Sequence, residues 1–169
     1  MECVAEGDFD PGAEAVAQRA GVGLRTVFRL FKDKEGLRQQ MTEVVLSQIG
    51  QLTIVPLRGA TWRERLDDLM TRRCSAFEQV MPFRRAAQAH AHLSPFVRSN
   101  MENMSRVMRE TLVGVVQPAL AADSATLEAL DLALGVDAWI RLRIDQRLEP
   151  ARARDVVQRM VNALIAEVK

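Results

Sequence analysis

Tyrosine is absent from this 169-residue chain, and all aromatics together make up only 5% of it. With Leu, Ala, Val and Arg abundant, that palette weighs against β-sheet and toward helix. Cysteine is scarce too: Cys3 and Cys74 form neither a metal-binding nor a redox spacing and imply no disulfide framework, which fits a reducing compartment. No apolar run approaches the roughly 18 residues of a membrane span. Met1-Glu2 opens an acidic stretch, the wrong sign for the start of a secretory leader. A cytoplasmic protein with no membrane partner is expected. Catalytic signatures are missing as well, with no glycine-rich phosphate loop, no nucleophile motif and acidic residues that read as helix-surface charge. The expectation is a protein that is not an enzyme and carries no cofactor. His90-Ala91-His92 invites a metal reading, but residues two apart on a helix point about 200° apart and cannot share an ion.

What is present is an ordinary soluble composition, 48% hydrophobic and 27% charged, enough to bury a real core. The formal net charge of +1 hides an asymmetry. The first eighteen residues hold Glu2, Glu6, Asp8, Asp10 and Glu14 with no lysine or arginine. The next twenty hold Arg19, Arg25, Arg29, Lys32, Lys34 and Arg38 against Asp33 and Glu35 alone. Screening confines a charge's field to about 8–10 Å, so a phosphate backbone responds to such a local excess rather than to the whole protein. A solvated helix face is the plainer explanation of the same run.

Punctuation and periodicity divide the chain into helices. Asp10-Pro11 offers an N-cap and an N1 proline for a helix ending at Gly21-Val22-Gly23. A short helix, about Leu24 to Leu30, follows. Asp33 caps a longer one with Leu37, Met41, Val44, Val45, Ile49 and Leu52 on one face. After Pro56 and Gly59, Thr61 and Glu64 form a capping box. The helix behind it carries Leu66, Met70, Cys74 and Phe77 on one stripe and is expected to end at Pro82. A short helix over about 83–92 precedes Ser94-Pro95, which starts the stripe Val97, Met101, Met104, Met108, Leu112 and Val115. Pro118 kinks or ends that helix, Asp123 or Ser124 starts a long one to about Leu148, and Pro150 opens the last. The expected fold is all-α with about nine helices: a helix-turn-helix head over residues 1–42, with a partial first helix, and a helical body over 43–169.

Ala13 to Leu30 has the parts of a helix-turn-helix. Val16, Ala17 and Ala20 give the support helix a small-residue face, Gly21 suits a left-handed turn, and Val22 is expected to plug the angle between the helices. Val27 and Phe31 face inward at a spacing of four, which leaves Arg25, Thr26 and Arg29 outward. An arginine fork can grip guanine or a phosphate at two points.

The run from Ala20 to Leu37 resembles the signature of the TetR family of bacterial regulators. Ala20, Gly21, Val22, Thr26, Phe31, Lys34, Glu35 and Leu37 match it directly, and Val27 and Phe28 match by type. The likeness covers residues 13–41 or so. The Lys34-Glu35 pair at the start of the next helix makes it specific, since a generic helix-turn-helix lacks it. Three positions depart from the pattern: Gly23 stands for a serine cap, Phe28 for tyrosine, and Leu30 for a polar residue. The family's complete first helix is matched here only by its last turn or two, which implies a start upstream or a weakly supported head. The resemblance implies a DNA-binding transcriptional regulator, most simply a repressor, with double-stranded DNA bearing a palindromic operator as its partner. It places Gly23, Leu24, Arg25, Thr26, Phe28, Arg29 and Lys34 at the DNA, with Thr26, Phe28 and Lys34 on phosphates and the recognition helix reading bases.

The same resemblance implies a ligand-enclosing body and a homodimer through the last two helices. The residues fit this independently. Leu132, Val136, Ile140, Val157, Met160, Val161, Leu164 and Ile165 belong to apolar arcs too broad for one neighbour, so they are the candidate dimer interface, unless both helices sit deep in one monomer. Trp62, Met70, Cys74, Phe77, His90, Phe96, Met101, Met104, Met108 and Trp139 are candidates to line a pocket for a small apolar or aromatic ligand, although a methionine stripe at helical spacing also builds plain core. The alternatives to the regulator are a dimeric helical small-molecule-binding module with weak or lost DNA binding and, further off, a small helical enzyme.

Overall fold

The computed structural model describes residues 1–53 and 55–166, with side chains left out of the description for 48–53. Ile49 and Leu52, expected on an apolar face, lie outside the described side chains. Among the described residues there is no strand, and the all-α expectation holds. The helices are α1 (Glu2–Ala5), α2 (Ala13–Ala20), α3 (Leu24–Phe31), α4 (Lys34–Thr53), α5 (Trp62–His90), α6 (Pro95–Val113), α7 (Pro118–Ala122), α8 (Ser124–Ala133), α9 (Val136–Ile140) and α10 (Pro150–Leu164). A π-helical turn, Arg141–Asp145, continues α9, its widened ring closed by Gln146 N–H donating to the Arg141 carbonyl at 3.0 Å.

Several helix starts follow from side chains that satisfy free backbone donors. Asp33 Oδ1 accepts from the Gly36 N–H at 2.8 Å at the head of α4. Thr61 Oγ1 accepts from Glu64 N–H at 3.2 Å while Glu64 Oε2 accepts from Thr61 N–H at 3.0 Å, the reciprocal capping box. Ser94 Oγ accepts from Val97 N–H at 3.1 Å before α6, and Asp123 caps α8.

Other boundaries differ from expectation. Asp10 caps nothing: α2 starts at Ala13 with Gly12 at its N-cap, and the Asp10 carboxylate is drawn instead to cations of α4. Pro82 does not end a helix but lies inside the 29-residue α5, whose buried Phe77 and Ala86 hold it on either side of the one lost amide. Pro118 neither kinks nor ends α6, which has stopped at Val113; it opens α7 at its first turn, where a missing N–H costs nothing. Val115 is buried beyond the end of α6. The long helix expected to Leu148 breaks at Leu134-Gly135, where glycine is a poor helix former. The buried Arg73 of α5 donates to the Leu134 carbonyl there and to the Met108 carbonyl of α6.

The described chain forms two compact units: residues 1–54 with 79–103, and residues 55–78 with 104–169. This division differs from a head ending at residue 42, because the end of α5 and the start of α6 go with the helix-turn-helix. In the first unit the buried apolar residues are Val4, Ala17, Val27, Ala86 and Val97. In the second, the face of α5 carrying Leu66, Met70 and Phe77 is buried together with Leu112, Leu130, Leu134 and Trp139. Each such side chain contributes about 1.5–3 kcal/mol by leaving water. The two apolar stripes of α10 have different environments. Ala153, Val157, Val161 and Ile165 are buried, while Val156 and Leu164 are half-buried and Met160 is exposed.

Candidate nucleic-acid interface

The corner between α2 and α3 is built by the backbone of Gly21, which sits at φ 65 in the left-handed region. Val22 N–H donates to the Ala17 carbonyl at 3.0 Å and Gly21 N–H to that of Gln18 at 3.3 Å, the paired bonds that close a helix end through a left-handed residue. Ala17 and Val27 are the buried side chains of the two helices. Val22 does not plug the corner. Its side chain is exposed, while Ala17 and Val27 are the buried ones.

From this corner α3 takes a fixed rotation. Val27 is buried and Phe31 half-buried, so the helix period carries Arg25 and Arg29 to the opposite, outer face one turn apart. Thr26 is half-buried beside them, and Gly23 caps the helix in extended conformation without a side-chain bond. The outer face is not uniformly polar. Leu24 is exposed, Phe28 is 52% exposed and Leu30 63%. The two last are positions where a polar side chain would be at ease in water.

The cations of the head differ sharply in their partners. Arg19 is held by Glu6 and Glu2 of the α1 region. Lys34 Nζ lies 3.0 Å from Asp10 Oδ2, and Arg38 lies 3.1 Å from Asp10 Oδ1 and 3.6 Å from Glu35 Oε2. Among the described residues Arg25 and Arg29 have neither an ion pair nor a hydrogen bond from their side chains. Burial works to raise the Asp10 pKa, but the bonds from Lys34 and Arg38 outweigh it and hold the carboxyl below the usual range.

Residues 79–103 complete this region. His90 Nε2 lies 3.0 Å from the Phe9 carbonyl oxygen, so that ring nitrogen is the donor, and 3.8 Å from Asp10 Oδ1. The Arg85 guanidinium stacks over the Phe9 ring at 4.8 Å, and Ser94 Oγ donates to Glu35 Oε1 at 2.6 Å. Sequence reasoning assigned Asp10 to a cap and His90 to a ligand pocket. The legible hint was the i, i+4 spacing of Lys34 and Arg38, which puts two cations on one face of α4 downstream of an acidic stretch.

The ten pocket candidates divide between the units. His90, Phe96 and Met101 belong to the first, and Trp62, Met70, Cys74, Phe77, Met104, Met108 and Trp139 to the second. Met70, Cys74, Phe77 and Trp139 are closed core, with Trp139 Nε1–H donating to Glu78 Oε1 at 2.7 Å. Burial pushes the Cys74 thiol up to about 11, so it stays protonated. Met104 and Met108 are half-buried, and Arg63 lies over the half-buried Trp62 ring at 4.5 Å. An open groove of about 170 Å³ in the second unit has other walls, Leu66, Val161 and Ile165 beneath Arg63, Asp67, Gln158 and Asn162.

Of the interface candidates, Val157, Val161 and Ile165 are buried inside their own unit and are not free to meet a second chain. Leu132, at 69%, and Met160 are exposed, while Val136, Ile140 and Leu164 are half-buried. Among the described residues no cluster of His, Cys, Asp and Glu could hold a metal ion, and no helix is long and apolar enough to cross a membrane. No known protein family, curated protein or solved structure matches the chain.

Proposed function

We propose that this protein is a DNA-binding transcriptional regulator of the TetR type, which pairs with a second copy of itself and responds to a small apolar or aromatic effector. The observation that carries the reading is the state of Arg25 and Arg29. They are exposed, unpaired among the described residues, and fixed one turn apart on the face of α3 opposite Val27. A guanidinium fork at such a position suits the guanine edge in a major groove about 12 Å wide, which admits one helix. The resemblance of residues 20–37 to the family signature supports the same role for α3, with Thr26 and Lys34 on the flanking phosphates. A second reading, an effector-binding module that has lost DNA binding, draws support from Phe28 and Leu30, whose exposed apolar surface replaces polar groups.

Titration of labelled duplex separates the two readings. The probe is DNA flanking the protein's own gene, compared with random duplex of equal length at low salt. Arg25→Ala and Arg29→Ala are each expected to cost about 1–3 kcal/mol on the preferred sequence and little on random DNA. Lys34→Ala is expected to weaken both alike. A wild-type protein that binds the flanking DNA no better than random duplex, with both arginines replaceable by alanine, refutes the regulator and leaves the module.

A further inference from the structure

Three of the six cations between Arg19 and Arg38 are held by carboxylates, and one of these pairs sits where the resemblance puts a phosphate contact. Asp10 divides its partners by oxygen. Oδ2 lies 3.0 Å from Lys34 Nζ, while Oδ1 faces Arg38 at 3.1 Å and His90 at 3.8 Å. Exposure divides them the same way, with the Lys34 side chain 55% exposed against 17% for Arg38 and 14% for His90. Asp10 is also held in place by its neighbour. The Phe9 carbonyl accepts from His90, and the Phe9 ring lies under Arg85.

A carboxylate and a phosphodiester present an ammonium with the same chemistry, a charged oxygen acceptor. We propose that Asp10 is an internal competitor for the DNA backbone phosphate at Lys34: it occupies the ammonium in the free protein, and a phosphate must take its place. The inference rests on the DNA reading above and deepens it. The exchange is feasible because Lys34 can leave Oδ2 while Oδ1 keeps Arg38, so the carboxylate retains one cationic partner. Its signature lies in the salt dependence. A free lysine that meets a phosphate releases a counterion from DNA and adds about 0.9 to the slope of log affinity against log salt. A lysine that must first give up a carboxylate leaves behind a negative charge that draws cations back, so its net contribution falls well below that.

The test is anisotropy of a fluorescent random duplex over about 50–200 mM salt with wild type, Asp10→Asn, Lys34→Ala and the double variant. Asp10→Asn is expected to tighten binding about two- to tenfold at the low-salt end and to steepen the slope by up to one. Adding Lys34→Ala to it should return affinity and slope to the level of Lys34→Ala alone. Glu14→Gln removes the same charge from α2 and should gain clearly less. Asp10→Ser repeats the test should the asparagine lower the thermal midpoint. If wild type binds and neither Asp10 variant binds tighter, or Glu14→Gln gains as much, the internal competitor is overturned while DNA binding stands. If neither wild type nor any variant binds duplex, the DNA reading itself has failed.

Discussion

Glu78 is the acceptor for the buried Trp139 indole and the half-buried Arg143, so its replacement is a direct measurement of how the second unit is held together. Its Oε1 accepts from Trp139 Nε1–H and from Arg143 Nε–H, each at 2.7 Å, and Arg143 also donates to the Leu148 carbonyl just before α10. In Glu78→Ala the indole N–H of Trp139, a 2%-exposed residue, has no acceptor, which costs about 1–3 kcal/mol. Loss of the partly exposed Arg143 pair adds up to about 1 kcal/mol. Together the expected destabilisation is about 2–4 kcal/mol. Glu78→Gln keeps a carbonyl oxygen for the indole and should cost only about 1 kcal/mol. Trp139→Phe removes the orphaned donor, so its cost should shrink by about 1–2 kcal/mol when made on Glu78→Ala. Burial acts to raise the Glu78 pKa, but Arg143 and Trp139 outweigh it, and the group sits below its ordinary 4.5. A depressed carboxyl stabilises fully above its unfolded value and loses that contribution as pH falls through the folded one. Wild type should therefore lose stability below about pH 4.5 more steeply than Glu78→Ala, which lacks the group. Urea unfolding followed by helical circular dichroism reads every variant, and Trp139 emission in a Trp62→Phe background reads the site itself in those that keep the indole. Equal unfolding free energies for the alanine and glutamine variants, within about 0.5 kcal/mol, would refute the argument.

What could be read from the sequence was local, and what could not was decided across distance. The caps at Asp33, Thr61 with Glu64, Ser94 and Asp123 each join groups within three residues. Their chemistry is complete in a short window. The turn at Gly21 is of the same kind. Pro82 lies inside α5, between buried Phe77 and Ala86, and no short window around a proline reveals that burial. The carbonyl freed at the Leu134-Gly135 break is taken up by Arg73, 61 residues before Leu134. In the candidate site the helical period was enough to turn Arg25 and Arg29 outward, but nothing local shows Asp10 meeting Lys34 24 residues on, or His90 joining them. Composition likewise marked Met70, Cys74, Phe77 and Trp139 as apolar without telling lining from core. On α10 the periodicity marked two stripes, and only tertiary packing decides which one the chain covers itself.

Further substitutions test the corner of the helix-turn-helix and the outer stripe of α10. A Cβ at Gly21 meets nothing within 4 Å, so Gly21→Ala isolates the cost of a left-handed backbone at φ 65. It should lower stability by about 1–2 kcal/mol in thermal unfolding, with Gly21→Asn milder; a neutral alanine variant would show that the corner is not strained. The stripe of Val156, Met160 and Leu164 is where a second copy would sit, because the adjacent stripe is spent on the chain's own core. A charge at exposed Met160 costs a lone chain within about 0.5 kcal/mol, but in a closed seam an uncompensated charge costs several kcal/mol. Light scattering should therefore find wild type at twice the 18.9 kDa chain mass and Met160→Glu at 18.9 kDa with its helicity intact. Val157→Glu puts the charge in the core and should unfold the chain instead, which separates the two faces of one helix. A wild type that is monomeric at micromolar concentration, or a Met160→Glu dimer as tight as wild type, would place the partner surface elsewhere or remove it.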